Sequence, residues 1–210
     1  MTELLPGAPI GVIGQYNLLE RLEPAGPGEL FRARDTRKGR TVAVRLLPPD
    51  FVIAADRPRF IDRARAMSAL SHPNITTIFD VGEHGSRLFL VFEYLTGRSL
   101  RSEMGARPLN VRRAIDMAIQ MADAVAHAHA AGYVHGGLSP DSVVITAKGH
   151  AKIPTFALAS RGGFAADGTT LHDYDAPEEA QGQASDERSD IYSVGAVLFE
   201  MLTTLSLIHI

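Results

Sequence analysis

The hydrophobic pattern of this chain changes period at Gly97. Before it, apolar residues alternate or run in short blocks bounded by Gly and Pro. After it, they recur at helical spacing over long stretches. Strand-type segments followed by helix-type segments predict an α+β chain, with a sheet built first and a mainly helical part after it. Strands are expected at Tyr16–Leu22, Leu30–Asp35 and Thr41–Leu47. The turns between them are a Pro/Gly stretch, Glu23–Glu29, and Lys38-Gly39, and Pro48-Pro49 closes the run. A helix over Arg57–Leu70 follows, with Phe60, Arg63, Ala64 and Met67 on one face. Ser71-His72-Pro73-Asn74 ends it, because proline disfavours helix at the residue before it. Ile75–Val81 and Arg87–Tyr94 complete a five-stranded antiparallel sheet with one helix, and residues 1–14 read as a flexible lead-in. Beyond Gly97, helices are expected at Val111–Ala131 and Asp190–Thr204, with short strands at Val143–Ile145 and Ala151–Ile153. Residues 160–175 are Gly-rich, polar and irregular.

Composition narrows the function classes. Net charge is −3, which gives no electrostatic case for nucleic acid or an anionic membrane. With no cysteine, disulfides and thiolate zinc sites are excluded, which fits a reducing, cytoplasmic setting. The N-terminus lacks the basic start and unbroken apolar core of a signal peptide. No apolar run reaches the ~18 residues of a membrane span. Only three residues are lysine: Lys38, Lys148 and Lys152.

Several short motifs follow in a fixed order. Val42-Ala43-Val44 lies in the third strand, His72-Pro73-Asn74 after the helix, and Glu93-Tyr94-Leu95 at the end of the sheet. Gly132–Ser142 reads GYVHGGLSPDS, and Ala176-Pro177-Glu178 precedes Ser189-Asp190-Ile191-Tyr192-Ser193-Val194-Gly195. This order resembles a protein kinase domain, and most of all the bacterial relatives of eukaryotic Ser/Thr kinases. The resemblance covers residues 14–204 and implies a bilobal fold: an N-lobe over 15–95 and a partial C-lobe over 96–204. It implies that the last helices of the C-lobe are missing and that the tail, 205–210 (LSLIHI), matches nothing expected there. An apolar face would then be exposed.

At the chemical positions this chain departs from the family. The family's catalytic loop runs close to V-H-R-D-L-K-P-E-N, where the Asp accepts the substrate proton and the Asn holds magnesium. Val134, His135, Leu138 and Pro140 match it, whereas the Asp position is Gly137 and the Asn position is Ser142. Of the phosphate-covering glycines, two become Glu23 and Ala25 and only Gly28 remains; an ordinary hairpin turn is the competing reading of this loop. The strand lysine corresponds to Arg45 and its helix Glu to Arg63, so the family ion pair is replaced by two cations. Arg63 binding an anion itself is the alternative. The magnesium-binding Asp-Phe-Gly appears as Thr155-Phe156-Ala157. Gly136 replaces the Arg that pairs with a phosphorylated activation segment, so Thr169 and Thr170 read as ordinary loop residues.

The packing positions match. The resemblance places Leu30, Ala43 and Val144 around adenine, Phe92 at the back of the pocket, and Met67, Ile78, His135 and Phe156 in an apolar column. The residues assigned to a vestigial ATP pocket are Leu22, Gly28, Leu30, Ala43, Arg45, Glu93, Leu95 and Val144, with no metal ligand among them. Asp190 is expected to accept hydrogen bonds from the His135–Gly136 backbone, and Glu178 to pair with an Arg beyond the chain's end.

The resemblance therefore implies a catalytically impaired, pseudokinase-like domain in bacterial signal transduction. It would dock protein partners and bind ATP weakly, without magnesium. Two alternatives stand beside it: a divergent Ser/Thr kinase that transfers the ATP γ-phosphate, and a non-functional gene fragment. No nucleic-acid partner and no membrane segment within the chain are expected.

Overall fold

A computed structural model describes residues 9–23, 27–105, 107–154 and 173–205. Its first part is a six-stranded antiparallel sheet in the order β1-β2-β3-β4-β6-β5. The strands are β1 (Gly11–Ile13), β2 (Tyr16–Leu22), β3 (Glu29–Asp35), β4 (Arg40–Leu46), β5 (Ile78–His84) and β6 (Arg87–Glu93). Helix α1 (Arg57–Met67) lies between β4 and β5 in sequence and packs against β5. The strand count exceeds the sequence expectation by one. Gly11–Ile13, placed within a flexible lead-in, pairs with β2 through Gly11↔Leu18 and Ile13↔Tyr16, and Ile13 is buried in the core. Three residues are too few to show an alternation, so this strand leaves no periodic trace.

Strand β5 starts three residues later than Ile75 because residues 74–76 pair elsewhere. Ile75 bridges Ile153 in parallel; Thr76 donates its N–H to Ile153 O at 2.9 Å, and Ile153 donates to Asn74 O at 2.8 Å. The Asn74 side chain donates to Ala151 O at 2.7 Å. These bonds tie the sheet to the second part of the molecule. That part contains β7 (Gly97–Ser99), α2 (Leu100–Met104), α3 (Val111–Ala130), β8 (Val144–Thr146), β9 (Ala151–Lys152), α4 (Pro177–Ala180) and α5 (Glu187–Thr203). Strands β7, β8 and β9 form a small second sheet.

Caps explain the helix limits. The Asn110 side chain accepts from Arg112 N at 3.0 Å and starts α3. The Asp186 side chain accepts from Arg188 N at 2.8 Å, so α5 begins at Glu187 rather than at Asp190. At its far end Thr204 adopts φ +62°, a left-handed cap. α1 stops at Met67, and Ala69 and Leu70 continue only as turns ahead of Pro73.

The period-2 alternation of the large sheet sorts its residues between two cores. Val42 and Val44 of β4, with Phe89 and Val91 of β6, join Ile13, Tyr16 and Phe31 on one side. Ala43, Leu90 and Phe92 face the other way, into the larger core shared with α1, α3 and α5. Arg45 has the parity of Ala43, so β4 sends a cation toward that larger core. On α3 and α5, Val111, Ile115, Ile119 and Ile191 are exposed. Among the described residues no helix is long and apolar enough to cross a membrane.

Candidate functional site

A cavity of about 300 Å³ opens where the large sheet meets the second part of the molecule. Strand register builds its roof. Leu30 of β3 pairs with Arg45 of β4, Arg45 with Leu90 of β6, and Ala43 with Phe92 of β6. Period-2 parity turns Leu30, Ala43, Arg45 and Phe92 to one side, and all four line the cavity with Leu22. Its floor is Val144 of β8 with Ser142 and Pro154. The connection after β6 supplies Glu93, Tyr94 and Leu95 at one edge. Glu93 is fixed there by an ion pair to Lys152 of β9 at 2.8 Å. Leu95 makes no backbone hydrogen bond among the described residues, so its N–H and C=O face no competitor for a ligand edge.

Of the eight pocket positions expected from sequence, Leu22, Leu30, Ala43, Arg45, Glu93, Leu95 and Val144 converge on this one cavity, and Gly28 does not line it. Gly28 has a packing reason of its own. Its φ is +89°, and a Cβ there would lie 2.3 Å from Leu46 O. Only glycine permits that approach of the turn to β4. Arg63 sits half-buried on α1 and is not among the residues that line the cavity. Asp62, on the outer side of α1, is exposed and lies 3.9 Å from Arg65. Sequence reasoning passed over Thr76, Arg98 and Asp141, which also line the cavity.

The charges of the site are uneven. Arg45 is only 8% exposed, and burial pushes its guanidinium below the ordinary arginine value. Glu23 brings a carboxylate to the mouth, while Arg98 is paired with Glu103 and Asp141 lies 3.3 Å from Arg101.

The loop below the cavity hangs on Asp190. This fully buried carboxylate of α5 accepts from His135 N at 2.7 Å and Gly136 N at 2.8 Å, as expected, and also contacts His129 Nε2 at 2.7 Å. His135 is itself buried, and that burial pushes its imidazole below the ordinary histidine value. It stands 3.3 Å from Pro154 O, a contact that suits a neutral ring donating from Nε2. His135, Met67 and Ile78 are all buried; Phe156, the fourth member of the expected column, lies outside the described residues, as do Thr155, Ala157, Thr169 and Thr170. Gly136 and Gly137 both have positive φ, +63° and +149°. The Ser142 hydroxyl accepts from Ser139 N at 2.9 Å and donates to Ser139 O at 2.8 Å, so it closes its own turn. Glu178 accepts from the Ser189 hydroxyl at 2.8 Å within the described chain. Tyr174 and Arg101 converge on the buried carboxylate of Glu200, joining α2, α5 and the residues before α4.

The two described loop positions are poor ones for magnesium. Gly137 has no side-chain donor, the Ser142 hydroxyl is engaged with Ser139, and no group of three His, Asp or Glu able to hold a metal occurs among the described residues. Hard divalent cations of this kind take carboxylate oxygens.

Comparison with known proteins places this arrangement. The family profile "Protein kinase domain" matches residues 17–209. The chain is 33% identical over 205 residues to the serine/threonine-protein kinase PrkC of Bacillus subtilis, covering 91% of this chain and 31% of that protein. It is 34% identical over 213 residues to the serine/threonine-protein kinase PknA of Mycobacterium tuberculosis, covering 94% of this chain and 49% of that protein. It therefore spans between about a quarter and a half of the length of the curated relatives it matches. The fold superimposes on the crystal structure of the Mycobacterium tuberculosis PknI kinase domain with a TM-score of 0.79, at 22% identity, covering 97% of this chain and 79% of that one. The chain belongs to the protein kinase domain family, within its bacterial Ser/Thr kinase branch.

Proposed function

We propose that this domain is a catalytically impaired member of the family, a pseudokinase that acts as a binding module or scaffold in signalling. The observation that carries the reading is the state of the two loop positions that do chemistry elsewhere in the family. Gly137 has no side chain to accept a proton, and Ser142 has turned its hydroxyl into its own loop. A general base contributes roughly 10²–10⁴-fold, and metal charge stabilisation several kcal/mol more. The neighbouring walls are kept: Leu30, Ala43 and Val144 bracket a slot fit for a flat ring. ATP would enter without magnesium and bind weakly, because Glu23 opposes its phosphates and the Arg45 guanidinium is held buried in the cavity wall. Protein partners would read the shape of the domain, in a cytoplasmic setting.

Transfer of radiolabelled phosphate from ATP, to the protein itself or to a generic protein substrate, tests the proposal. The expected result is no transfer above background. Transfer that disappears in Arg45→Ala would overturn it.

The second reading is a divergent Ser/Thr kinase. It is favoured by the cavity and by the relatives reported above, which are serine/threonine-protein kinases. Under that reading, thermal stabilisation by ATP requires magnesium.

A further inference from the structure

Packing accounts for nearly every residue of the cavity, but not for Thr76. This residue is 4% exposed and lines the cavity beside Ala43, Phe92 and Pro154. Its backbone N–H is used by Ile153 O at 2.9 Å. Among the described residues, its Oγ1 is buried with no hydrogen-bond partner. Buried hydroxyls are nearly always paired, so an orphan in a cavity wall calls for a cause. Valine would fill the same volume without that penalty. Pro154, next to it in the lining, has no N–H to offer. One χ1 step exchanges the hydroxyl and methyl of a threonine, so Oγ1 can turn toward a ligand without displacing the backbone.

The rest of the cavity defines what that ligand is. At about 300 Å³ it stands at the small end of ligand pockets, which run from about 300 to 1,000 Å³. Leu22, Leu30 and Val144 make apolar walls suited to the faces of a flat ring, and the open backbone of Leu95 suits one polar edge of that ring. We propose that Thr76 is the specificity-determining residue of this cavity: its hydroxyl hydrogen-bonds the inner edge of a flat nitrogen heterocycle whose outer edge meets the Leu95 backbone. A hydroxyl both donates and accepts, so a ring nitrogen or an amino group satisfies it. This rests on reading the cavity as a ligand pocket. It supplies the polar anchor in the ring-binding part of the site, where neither a metal nor a phosphate is needed.

The test uses adenosine and 7-deazaadenosine, which lacks one ring nitrogen, as probes in calorimetric titrations without magnesium. The proteins are wild type, Thr76→Val and Thr76→Ser, and thermal unfolding of each ligand-free protein is recorded alongside. Thr76→Val is expected to melt higher than wild type when ligand-free, yet to bind adenosine about 5–10-fold more weakly. Thr76→Ser keeps the hydroxyl and is expected to bind within about twofold of wild type. A role in packing alone would not separate stability from affinity in this way. Equal affinity of wild type and Thr76→Val for both probes overturns the role of Thr76 and leaves the cavity a ligand pocket. A lower melting temperature for ligand-free Thr76→Val also overturns it, because the hydroxyl then has a structural partner. If wild type binds neither probe nor ATP, the reading of the cavity itself falls.

Discussion

If catalysis is impaired as proposed, replacing Gly137 separates two causes of it, a missing side chain and a backbone unsuited to carry one. Gly137 has φ +149°, a region that residues with a Cβ rarely enter. A Cβ built there meets no heavy atom within 4 Å, so crowding contributes nothing and the whole cost is conformational. Strain of this kind is worth about 1–3 kcal/mol per residue. Gly137→Ala is therefore expected to lose about 1–3 kcal/mol in urea unfolding at unchanged m-value. Gly137→Asp has the same backbone cost and adds the carboxylate that the family uses as its base. Were that carboxylate well placed, it would restore up to roughly 10²–10⁴-fold in transfer rate. Under the proposed reading no such gain is expected, since the Ser142 hydroxyl remains engaged with Ser139. The two assays are equilibrium unfolding and transfer of labelled phosphate. Wild-type stability in Gly137→Ala, or magnesium-dependent transfer in Gly137→Asp alone, would refute the reasoning.

Three further outcomes follow from the geometry. Asp190→Ala strands the buried amides of His135 and Gly136 and the His129 ring, and should cost about 3–5 kcal/mol in chemical unfolding; a loss under 1 kcal/mol would show that the loop is held by something else. Gly28→Ala, at φ +89° and 2.3 Å from Leu46 O, should lose at least about 2 kcal/mol, and this loss should be the same with or without nucleotide, since Gly28 serves packing rather than phosphate. Tyr174 is pushed up to about 12 by burial and by its hydrogen bond to Glu200. Because the folded state holds this proton more tightly than the unfolded chain, the contribution is complete below pH 10 and is lost as pH rises toward about 12. The stability difference between wild type and Tyr174→Phe should shrink over that alkaline interval, and a constant difference would count against the assigned cause.

Local signals carried most of the fold into the sequence. Tyr16–Leu22 is alternating and turn-bounded, and it is a strand from end to end. The motif order gave the family, and strand parity turns Leu22, Leu30, Ala43 and Arg45 to the cavity side. What escaped was non-local. The Ile75–Ile153 bridge joins residues 78 apart and shifts the start of β5, and nothing in an Ile-Thr-Thr-Ile run announces it. Thr76 lay unremarked within the expected strand Ile75–Val81; that its buried hydroxyl has no partner among the described residues depends on the surrounding packing, which sequence does not carry. The junction of Arg101, Tyr174 and Glu200 spans 99 positions of sequence between its cation and its carboxylate. Ser142 was legible as a poor metal ligand, but that its hydroxyl is occupied by Ser139 required the turn geometry.

The central claim is a cavity that keeps its apolar walls while, among the described residues, no group of three His, Asp or Glu could hold a metal. Titration of ATP in magnesium against ATP in EDTA, read by calorimetry on the same protein, tests this most directly. The predicted result is weak binding that is equal in the two buffers within about twofold, because no side chain couples the ion to the nucleotide. Binding that tightens by tenfold or more with magnesium would contradict it.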